Sequence, residues 1–166
     1  MNIRSRELLN TDFQSMKELL LTEGPNPWNY ITEESINQQF TLIANGDAVA
    51  VLLEDKAIVG FAILIFKQAC PEKLNQYDDL SNIAYINDVV IAASQSGKGL
   101  GSQLLREAVR LAGLQQCSKV YIERHEENLA SGGMMRKAGF EIVETFYDPN
   151  KRSSGSRNTT IQRISI

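Results

Sequence analysis

The chain has 166 residues, of which 43% are hydrophobic and 22% are charged, and this ordinary globular composition predicts one domain over residues 1–166. Its formal net charge of −3 lacks the excess of Lys and Arg that binds nucleic acid, so we expect no nucleic-acid partner. No apolar run approaches the ~20 residues that cross a bilayer, and the N-terminus lacks the apolar core of a secretion signal, so we expect a cytoplasmic protein that does not bind membranes.

The N-terminal segment is predicted to form one strand and two helices. Residues 2–9 favour a short strand, and apolar residues at helical spacing predict a first helix over residues 11–23. Thr11 and Gln14 have the spacing of a capping box at the start of that helix. Thr32 is typical of the N-cap of a second helix, which we expect to end at the pair Asn45-Gly46.

The loop between these two helices carries two aromatic residues, Trp28 and Tyr30, among glycine and proline. Large amphipathic side chains on a loop are suited to the wall of a substrate pocket. They are equally suited to packing the two helices together, so both interpretations stay open here.

Residues 48–54 and 57–67 are rich in Val, Ile and Leu and predict an antiparallel hairpin. Within it, Gly60 indicates a bulge or a close approach of two backbones. The polar residues 68–82 are predicted to form an exposed loop. Its acidic side chains would attract a cationic amine, or would simply be solvated, which is the commoner situation.

The central stretch reads as a strand, a glycine loop and a helix. Residues 86–91 are dominated by Val and Ile and predict a buried strand, and an apolar stripe predicts a helix over residues 104–112. Between them, Gly97, Gly99 and Gly101 leave little side-chain bulk, so consecutive backbone N–H groups can turn toward an anion. With the N-terminus of the following helix, this arrangement is suited to a phosphate or pyrophosphate.

The C-terminal part of the chain continues the alternation of predicted strands and helices. Residues 120–123 predict a strand parallel to the central one, because a single crossover helix separates the two. A helix over residues 130–138, capped by Gly139, and strands over residues 140–147 and 158–166 follow. The predicted element order is therefore βααβββαβαββ.

Two familiar phosphate-binding motifs do not fit the glycine loop. A P-loop requires Ser or Thr after its lysine, but Lys98 is followed by Gly99 and Leu100. The dinucleotide fingerprint GxGxxG requires a third glycine where Ser102 or Leu104 stands. The loop therefore predicts a different phosphate ligand.

The loop resembles the acyl-CoA motif of the GNAT superfamily of N-acyltransferases, in which Arg or Gln is followed by xxGx and then Gly or Ala. Gly99 and Gly101 fit this pattern, whereas Ser96 stands where Arg or Gln is usual. A second motif of the same family matches Asn128, Ser131, Met134, Gly139 and Phe140. Met135 departs from it, because this position often holds the Tyr that protonates the leaving CoA sulfur.

This resemblance, which covers about half of the chain, implies an α/β (α+β) GNAT fold. Such a fold has a mixed central sheet of about seven strands with about four helices, and it is splayed between the fourth and fifth strands. It also implies a single GNAT N-acetyltransferase domain over residues 1–166, which transfers an acetyl group from acetyl-CoA to a primary amine by direct attack in a ternary complex, without a metal. The acceptor would be a small-molecule or peptide amine, with polyamines, aminoglycosides, amino acids and protein N-termini all open. A homodimer is one option, because final strands in this family often pair between subunits.

The resemblance further implies which residues bind acetyl-CoA. Main-chain groups of Val89, Val90 and Ile91 would bind the pantetheine arm, with the Val89 N–H directed at the thioester carbonyl. The pyrophosphate would lie on the backbone of the loop residues Ser96, Gly97, Lys98, Gly99, Leu100, Gly101 and Ser102. Asn128 maps to the family's asparagine where the strands part, and it also has the position of an N-cap for the fourth helix.

The catalytic residues are less well specified. A lysine-like amine has a pKa near ~10.4, so direct attack requires a group that removes a proton. Asp88 on the central strand and Glu123 or Glu126 at the end of the parallel strand are the candidates. With Met135 at the usual Tyr position, the acid would be another hydroxyl, Tyr147 or Tyr121, or none.

Other chemistry has little basis in the sequence. Cys70 and Cys117 form neither a disulfide framework nor a metal site, and the single histidine, His125, lacks the partners of a hydrolase triad. A lone histidine in a loop is more often structural than catalytic. The alternatives that stay open are a non-catalytic CoA-binding or regulatory module of GNAT fold, which Ser96 and Met135 favour, and a nucleotide-binding protein.

Overall fold

The computed structural model describes all residues from Met1 to Ile166 and contains seven strands and four α-helices. The strands are β1 (Asn2–Ser5), β2 (Ala48–Asp55), β3 (Ala57–Phe66), β4 (Ile83–Ile91), β5 (Lys119–His125), β6 (Glu141–Tyr147) and β7 (Asn158–Ser165). The helices are α1 (Asn10–Glu23), α2 (Glu33–Ala44), α3 (Leu100–Leu114) and α4 (Leu129–Lys137). None of the helices is long and apolar enough to cross a membrane.

The strands form one mixed sheet in the order β1-β2-β3-β4-β5-β7-β6. Every neighbouring pair is antiparallel except β4 and β5, which are parallel and joined through α3. This parallel pairing is short, since only Ile83–Ile86 of β4 faces β5. The predicted seven-stranded mixed sheet, splayed between its fourth and fifth strands, is thus confirmed.

Two apolar cores cover the two faces of the sheet, as strand alternation requires. In β2, Ala50 and Leu52 face a core that also contains residues of α1 and α2. The intervening Val51 and Leu53 face the opposite core, to which α3 and α4 contribute. The helices therefore form one layer on each side of the sheet.

Two local predictions need correction. The capping box of Thr11 and Gln14 is wrong, because α1 begins one residue earlier and the Asp12 carboxylate accepts from the Leu9 N–H at 2.8 Å. Residues 68–82 are also not a simple exposed loop. They contain short 3₁₀ turns that bury Cys70, Leu74 and Leu80 in the core beside α1, a burial that the segment's polar composition conceals.

The predicted irregularity at Gly60 is confirmed. The register between β2 and β3 shifts next to it, and a Cβ at this position would lie 3.0 Å from the carbonyl oxygen of Val90. Thr32 also caps α2 as predicted, since its Oγ1 accepts from the Ser35 N–H at 3.1 Å.

Candidate active site

Strand β4 carries a bulge at Asp88. Two consecutive residues of β3 face Asn87 and Val89, so Asp88 is an extra residue without a partner, and its φ of +49° is left-handed. The insertion reverses the alternation of the strand, because Val90 faces the same core as Tyr85. Such bulges commonly re-aim side chains beside functional sites.

Beyond this bulge, β4 has an open edge. Its pairing with β5 ends at Ile86, whereas its pairing with β3 continues to Ile91. Ala92 N–H donates to the Val59 oxygen in β3 at 2.8 Å. Because successive amides of a strand point to opposite sides, the N–H groups of Val89 and Ile91 point to the open edge.

The glycine loop at the end of β4 presents free backbone donors. Gly97 and Gly99 have φ values of +77° and +73°, which a side chain would disfavour. The six backbone N–H groups of residues 97–102 have no acceptor within the protein. They combine a turn of inward-facing amides with the first turn of α3, and together they form a site for a phosphate group.

A cavity of about 520 Å³, here called the loop cavity, lies between this loop, the open edge of β4 and α4. Lys137 in α4 also lines it, and a Cβ on Gly99 would lie 3.2 Å from the Lys137 ammonium nitrogen. Lys98, in contrast, does not line the cavity and donates to Gln95 Oε1 at 2.9 Å. The charge beside the loop is therefore that of Lys137, which lies within the second motif and to which the sequence prediction gave no role in phosphate binding.

A second cavity of about 140 Å³, here called the inner cavity, lies in the gap between β4 and β5. The predicted site residues that line it are Tyr30, Asp88, Val89, Glu123 and Asn128. The two cavities meet at a common set of residues, namely Gly24, Asn29, Val89, Ser131 and Met134. A molecule in one cavity would therefore contact a molecule in the other next to the free amide of Val89.

Asp88 has the environment of a general base. Its carboxylate accepts a hydrogen bond from Gln39 Nε2, and no cationic side chain lies within ion-pair distance. Burial raises the pKa of Asp88 above its ordinary value, although the bond from Gln39 and the charge of Lys151 partly oppose this. A carboxylate with a raised pKa accepts protons more readily.

Glu123 is also buried but, unlike Asp88, is paired with cationic side chains. Its side chain is only 3% exposed and forms ion pairs with Lys151 and with Lys73, whose Nζ lies 2.7 Å from Oε2. Burial alone would raise its pKa, but the two ammonium groups outweigh it and lower the pKa to about 2. Glu123 is therefore a fixed anion rather than a proton acceptor, and Glu126, which accepts from Asn158 instead, does not line the cavity.

The predicted hydroxyl acids do not reach the cavities. Tyr147 lies on the edge strand β6 and is 64% exposed. The hydroxyl of Tyr121 is bonded to Asp78 and Arg163 outside both cavities. Ser131 is a hydroxyl at the junction of the two cavities, and the second motif contained it only as a small residue.

The second motif has a structural role as well. Asn128 caps α4, with its Oδ1 accepting from the Ser131 N–H at 3.2 Å, and the same side chain lines the inner cavity. Both functions considered for this residue are therefore compatible with its position. Met135 is 3% exposed and packs in the core on the α3 side, so no polar group occupies the usual Tyr position.

The loops around the inner cavity are joined by His125. This fully buried ring donates from Nε2 to the Ser154 oxygen at 2.8 Å, because its Nδ1 accepts from the Glu127 N–H. The Trp28 ring packs against it at 4.8 Å between centroids, and the Ser154 hydroxyl donates to the Pro27 oxygen. Trp28 thus packs at the end of β5 and is not among the residues that line either cavity, whereas Tyr30, which is 84% exposed, lies at the rim of the inner cavity.

Comparison with solved structures gives the same fold. The aminoglycoside acetyltransferase AAC(6′)-Ib, bound to paromomycin and acetyl-CoA, has a TM-score of 0.77 and 20% identity, over 99% of this chain and 94% of that one. A ribosomal-protein-alanine N-acetyltransferase from Brucella melitensis has a TM-score of 0.76 and 17% identity, over 100% of both chains. The putative acetyltransferase yncA from Salmonella typhimurium, with acetyl-CoA, has a TM-score of 0.72 and 16% identity, over 99% and 94%.

No curated protein matches the chain by sequence. A family model does: the model of the acetyltransferase (GNAT) family matches residues 13–140, which contain both predicted motifs, the bulged strand and the glycine loop. The match covers well over half of the chain, and it agrees with the fold and with the resemblance of the two motifs. The chain therefore belongs to the GNAT family of acetyltransferases.

Proposed function

We propose that this protein transfers an acetyl group from acetyl-CoA to a primary amine by direct attack in a ternary complex. The observation that carries this proposal is the meeting of the loop cavity and the inner cavity at Val89. One cavity has the free amides for a pyrophosphate, and the other has a carboxylate for an amine. Val89 lies where their reacting groups would come together.

The loop cavity fits acetyl-CoA through its backbone. The amides of residues 97–102 would hold the pyrophosphate, with Lys137 adding a positive charge beside them. The open edge of β4 would bind the pantetheine arm as an extra strand, with donors at Val89 and Ile91. Side-chain identity at Ser96 matters little in this arrangement, because its hydroxyl donates to Ala93 and the loop acts through its main chain.

Acetyl-CoA supplies an acetyl thioester, so the amine nitrogen bonds to the carbonyl carbon while the C–S bond breaks and the thiol of CoA is released. Val89 N–H would donate to the carbonyl oxygen as negative charge develops there, and a donor in such a position contributes roughly 3 kcal/mol in other enzymes. Asp88 would take the proton that the amine must lose before or during attack.

Proton return to the sulfur makes a smaller demand on the protein. A thiol has a pKa of about 8.5, so a thiolate leaves comparatively easily. Ser131 is the hydroxyl at the junction of the two cavities and is the available donor. This accounts for a catalytic site that has Met135 at the usual Tyr position.

A pair of glycine variants tests this proposal. Gly99→Glu fills the phosphate site and adds a negative charge, so we expect the Kd for acetyl-CoA to rise at least about 100-fold, with loss of thiol release. Gly46→Glu is the control, because Gly46 also has a positive φ, of +82°, but has open space around it and lines neither cavity. The measurements are acetyl-CoA binding by calorimetry and thiol release with a panel of amines.

The outcomes separate two functions. Unchanged acetyl-CoA affinity in Gly99→Glu would contradict the proposed site. Tight acetyl-CoA binding by the wild type, with no thiol release for any amine, would instead favour a non-catalytic CoA-binding module.

A further inference from the structure

Arg152 is the least exposed cation beside the inner cavity. It lies in the loop between β6 and β7, is only 4% exposed, and lines the cavity. Arg152 Nε donates to Thr159 Oγ1 at 2.9 Å, and this hydroxyl in turn donates to Asp148 Oδ2 at 2.7 Å. The guanidinium is thus held in place from one side by a buried relay.

The other side of this guanidinium has no hydrogen-bond partner in the protein, although the negative charges of Glu123 and Asp148 favour its charged form. Neither terminal nitrogen of Arg152 has a hydrogen bond, and no carboxylate forms an ion pair with it. A buried cation with unpaired donors is costly unless an anion or water satisfies it. Arg presents a planar pair of donors that fits a carboxylate, so the geometry favours that kind of anion.

The remaining charges of the inner cavity support the same conclusion. Glu123 already forms ion pairs with Lys73 and Lys151 and its charge also acts on Arg152, so it offers little attraction to a further cation. Arg124 adds another positive charge to the wall. Asp88 is then the one carboxylate of the wall without an ion pair, and a polycationic acceptor would meet more cations than anions.

The inner cavity is also small. Its volume is about 140 Å³. A cavity of roughly 150 Å³ holds a molecule of the size of benzene. A single small metabolite fits this space, whereas a multi-ring amine would have to lie largely outside it.

We propose that the acceptor is a small amino acid, which carries a primary amine and a carboxylate in one molecule. Its carboxylate binds the free donors of Arg152, and its amine lies at the other end of the inner cavity, between Asp88 and Val89. This inference rests on the proposed acetyl transfer and specifies its substrate class. The acetyl group is transferred to the amine and the carboxylate is unchanged, so the products are an N-acetyl amino acid and CoA.

Matched pairs of acceptors test the substrate class. Thiol release is measured with a panel of small amino acids, with the carboxamide of each one, and with aminoglycosides and polyamines. We expect kcat/KM for the best amino acid to exceed that of its own carboxamide at least about tenfold, because a charge-assisted bidentate contact is lost in the amide. A carboxamide, an aminoglycoside or a polyamine that is used as well as the best amino acid would overturn the inference.

Variants of Arg152 test the residue. In Arg152→Gln we expect KM for the amino acid to rise at least about tenfold and the preference over the carboxamide to disappear. Arg152→Lys should restore part of the preference, since it keeps the charge without the planar pair of donors. Arg157→Gln is the control, because it removes the same charge from an exposed residue of the same loop that does not line the cavity.

A separate measurement distinguishes failure of this inference from failure of the proposed function. Acetyl-CoA binding is measured for each variant, together with its melting temperature. If acetyl-CoA binds and some amine is acetylated, but the carboxylate preference is absent or survives in folded Arg152→Gln, only the inference fails. If none of the amines supports thiol release by the wild type, the proposed function fails, and the inference fails with it.

Discussion

At the scale of single residues, Asp88 is where function and stability are opposed. Its carboxylate is the proposed proton acceptor, yet burial raises its pKa, so the folded protein holds the ionised form at a cost. Stability associated with this group is present at low pH and decreases as the pH rises from the unfolded pKa through the higher folded one. Ionisation of Asp88 therefore lowers the free energy of unfolding.

Asp88→Asn should accordingly reduce activity while increasing stability. We expect kcat to fall by about 100-fold or more, because general-base catalysis is lost, and the melting temperature at neutral pH to rise. Acetyl-CoA affinity should be unchanged, since the ligand contacts backbone groups. Asp55→Asn, at the exposed end of β2, is the control. Equal kcat values for Asp88→Asn and wild type would remove Asp88 from the mechanism.

Gln39 is the hydrogen-bond partner of the Asp88 carboxylate. The side chain is 5% exposed; its amide nitrogen donates to Asp88, while its amide oxygen is buried without a partner. Rotation of the amide by half a turn would present that oxygen to a protonated Asp88. The same side chain can thus serve both protonation states of the carboxyl group.

At the scale of elements, the bulge in β4 creates the open edge. Deletion of Asp88 would leave Asn87 and Val89 adjacent and opposite two adjacent residues of β3, which gives a regular ladder. We expect this deletion to keep the fold but to weaken acetyl-CoA binding at least about tenfold, because the strand no longer turns its free amides to the gap.

The comparison with Asp88→Asn makes that experiment specific. Both variants lack the carboxylate, but only the deletion changes the backbone. Far-ultraviolet circular dichroism checks the fold, and calorimetry measures acetyl-CoA binding. Equal affinities for the two variants would show that the bulge is not required for binding.

The elements proposed to bind acetyl-CoA were also the most predictable ones. Gly99 and Gly101 indicate a phosphate loop because the conformation and the free amides are local properties of a few consecutive residues. Asn128 likewise signals its N-cap locally. The bulge was not predicted, since nothing in the composition of β4 distinguishes a strand with one extra residue from a regular one.

At the scale of the whole molecule, Arg6 joins β1, α1 and β2. It donates to Asp12 at 2.8 Å and to Glu54 at 2.9 Å, and the bond from Arg6 is the main reason that the pKa of Asp12 falls to about 2. A lowered pKa means that this stabilisation is present above the ordinary value of 3.8 and is lost as the pH falls toward 2.

Arg6→Gln should therefore destabilise the protein in a pH-dependent way. We expect the free energy of unfolding in urea to drop by about 2 kcal/mol at neutral pH, and the difference from wild type to shrink as the pH is lowered below 4. Arg4→Gln is the control, because Arg4 is 60% exposed and its Nε lies 3.8 Å from Glu54. Its expected effect is below about 0.5 kcal/mol. A pH-independent loss in Arg6→Gln would contradict the explanation.

The inner cavity could not be predicted to the same depth, because its groups come from distant parts of the chain. Glu123 reads as a candidate base in the sequence, and only the folded chain brings Lys73 and Lys151 to it. Arg152 sits in a polar turn region whose composition resembles any solvated loop. Tyr147 was a candidate because of its hydroxyl, but the pairing of β6 at the sheet edge directs it away from both cavities.

His125 contacts two separate loops of the site. Through Trp28 it holds the segment that reaches Tyr30, and through Ser154 it holds the segment that carries Arg152. One imidazole therefore supports both Tyr30 at the rim and Arg152 in the wall of the inner cavity, although these residues are more than a hundred positions apart in the chain. The position of Tyr30 at the entrance and the position of the Arg152 guanidinium therefore both depend on contacts with His125. A substitution that displaces the imidazole is expected to shift both.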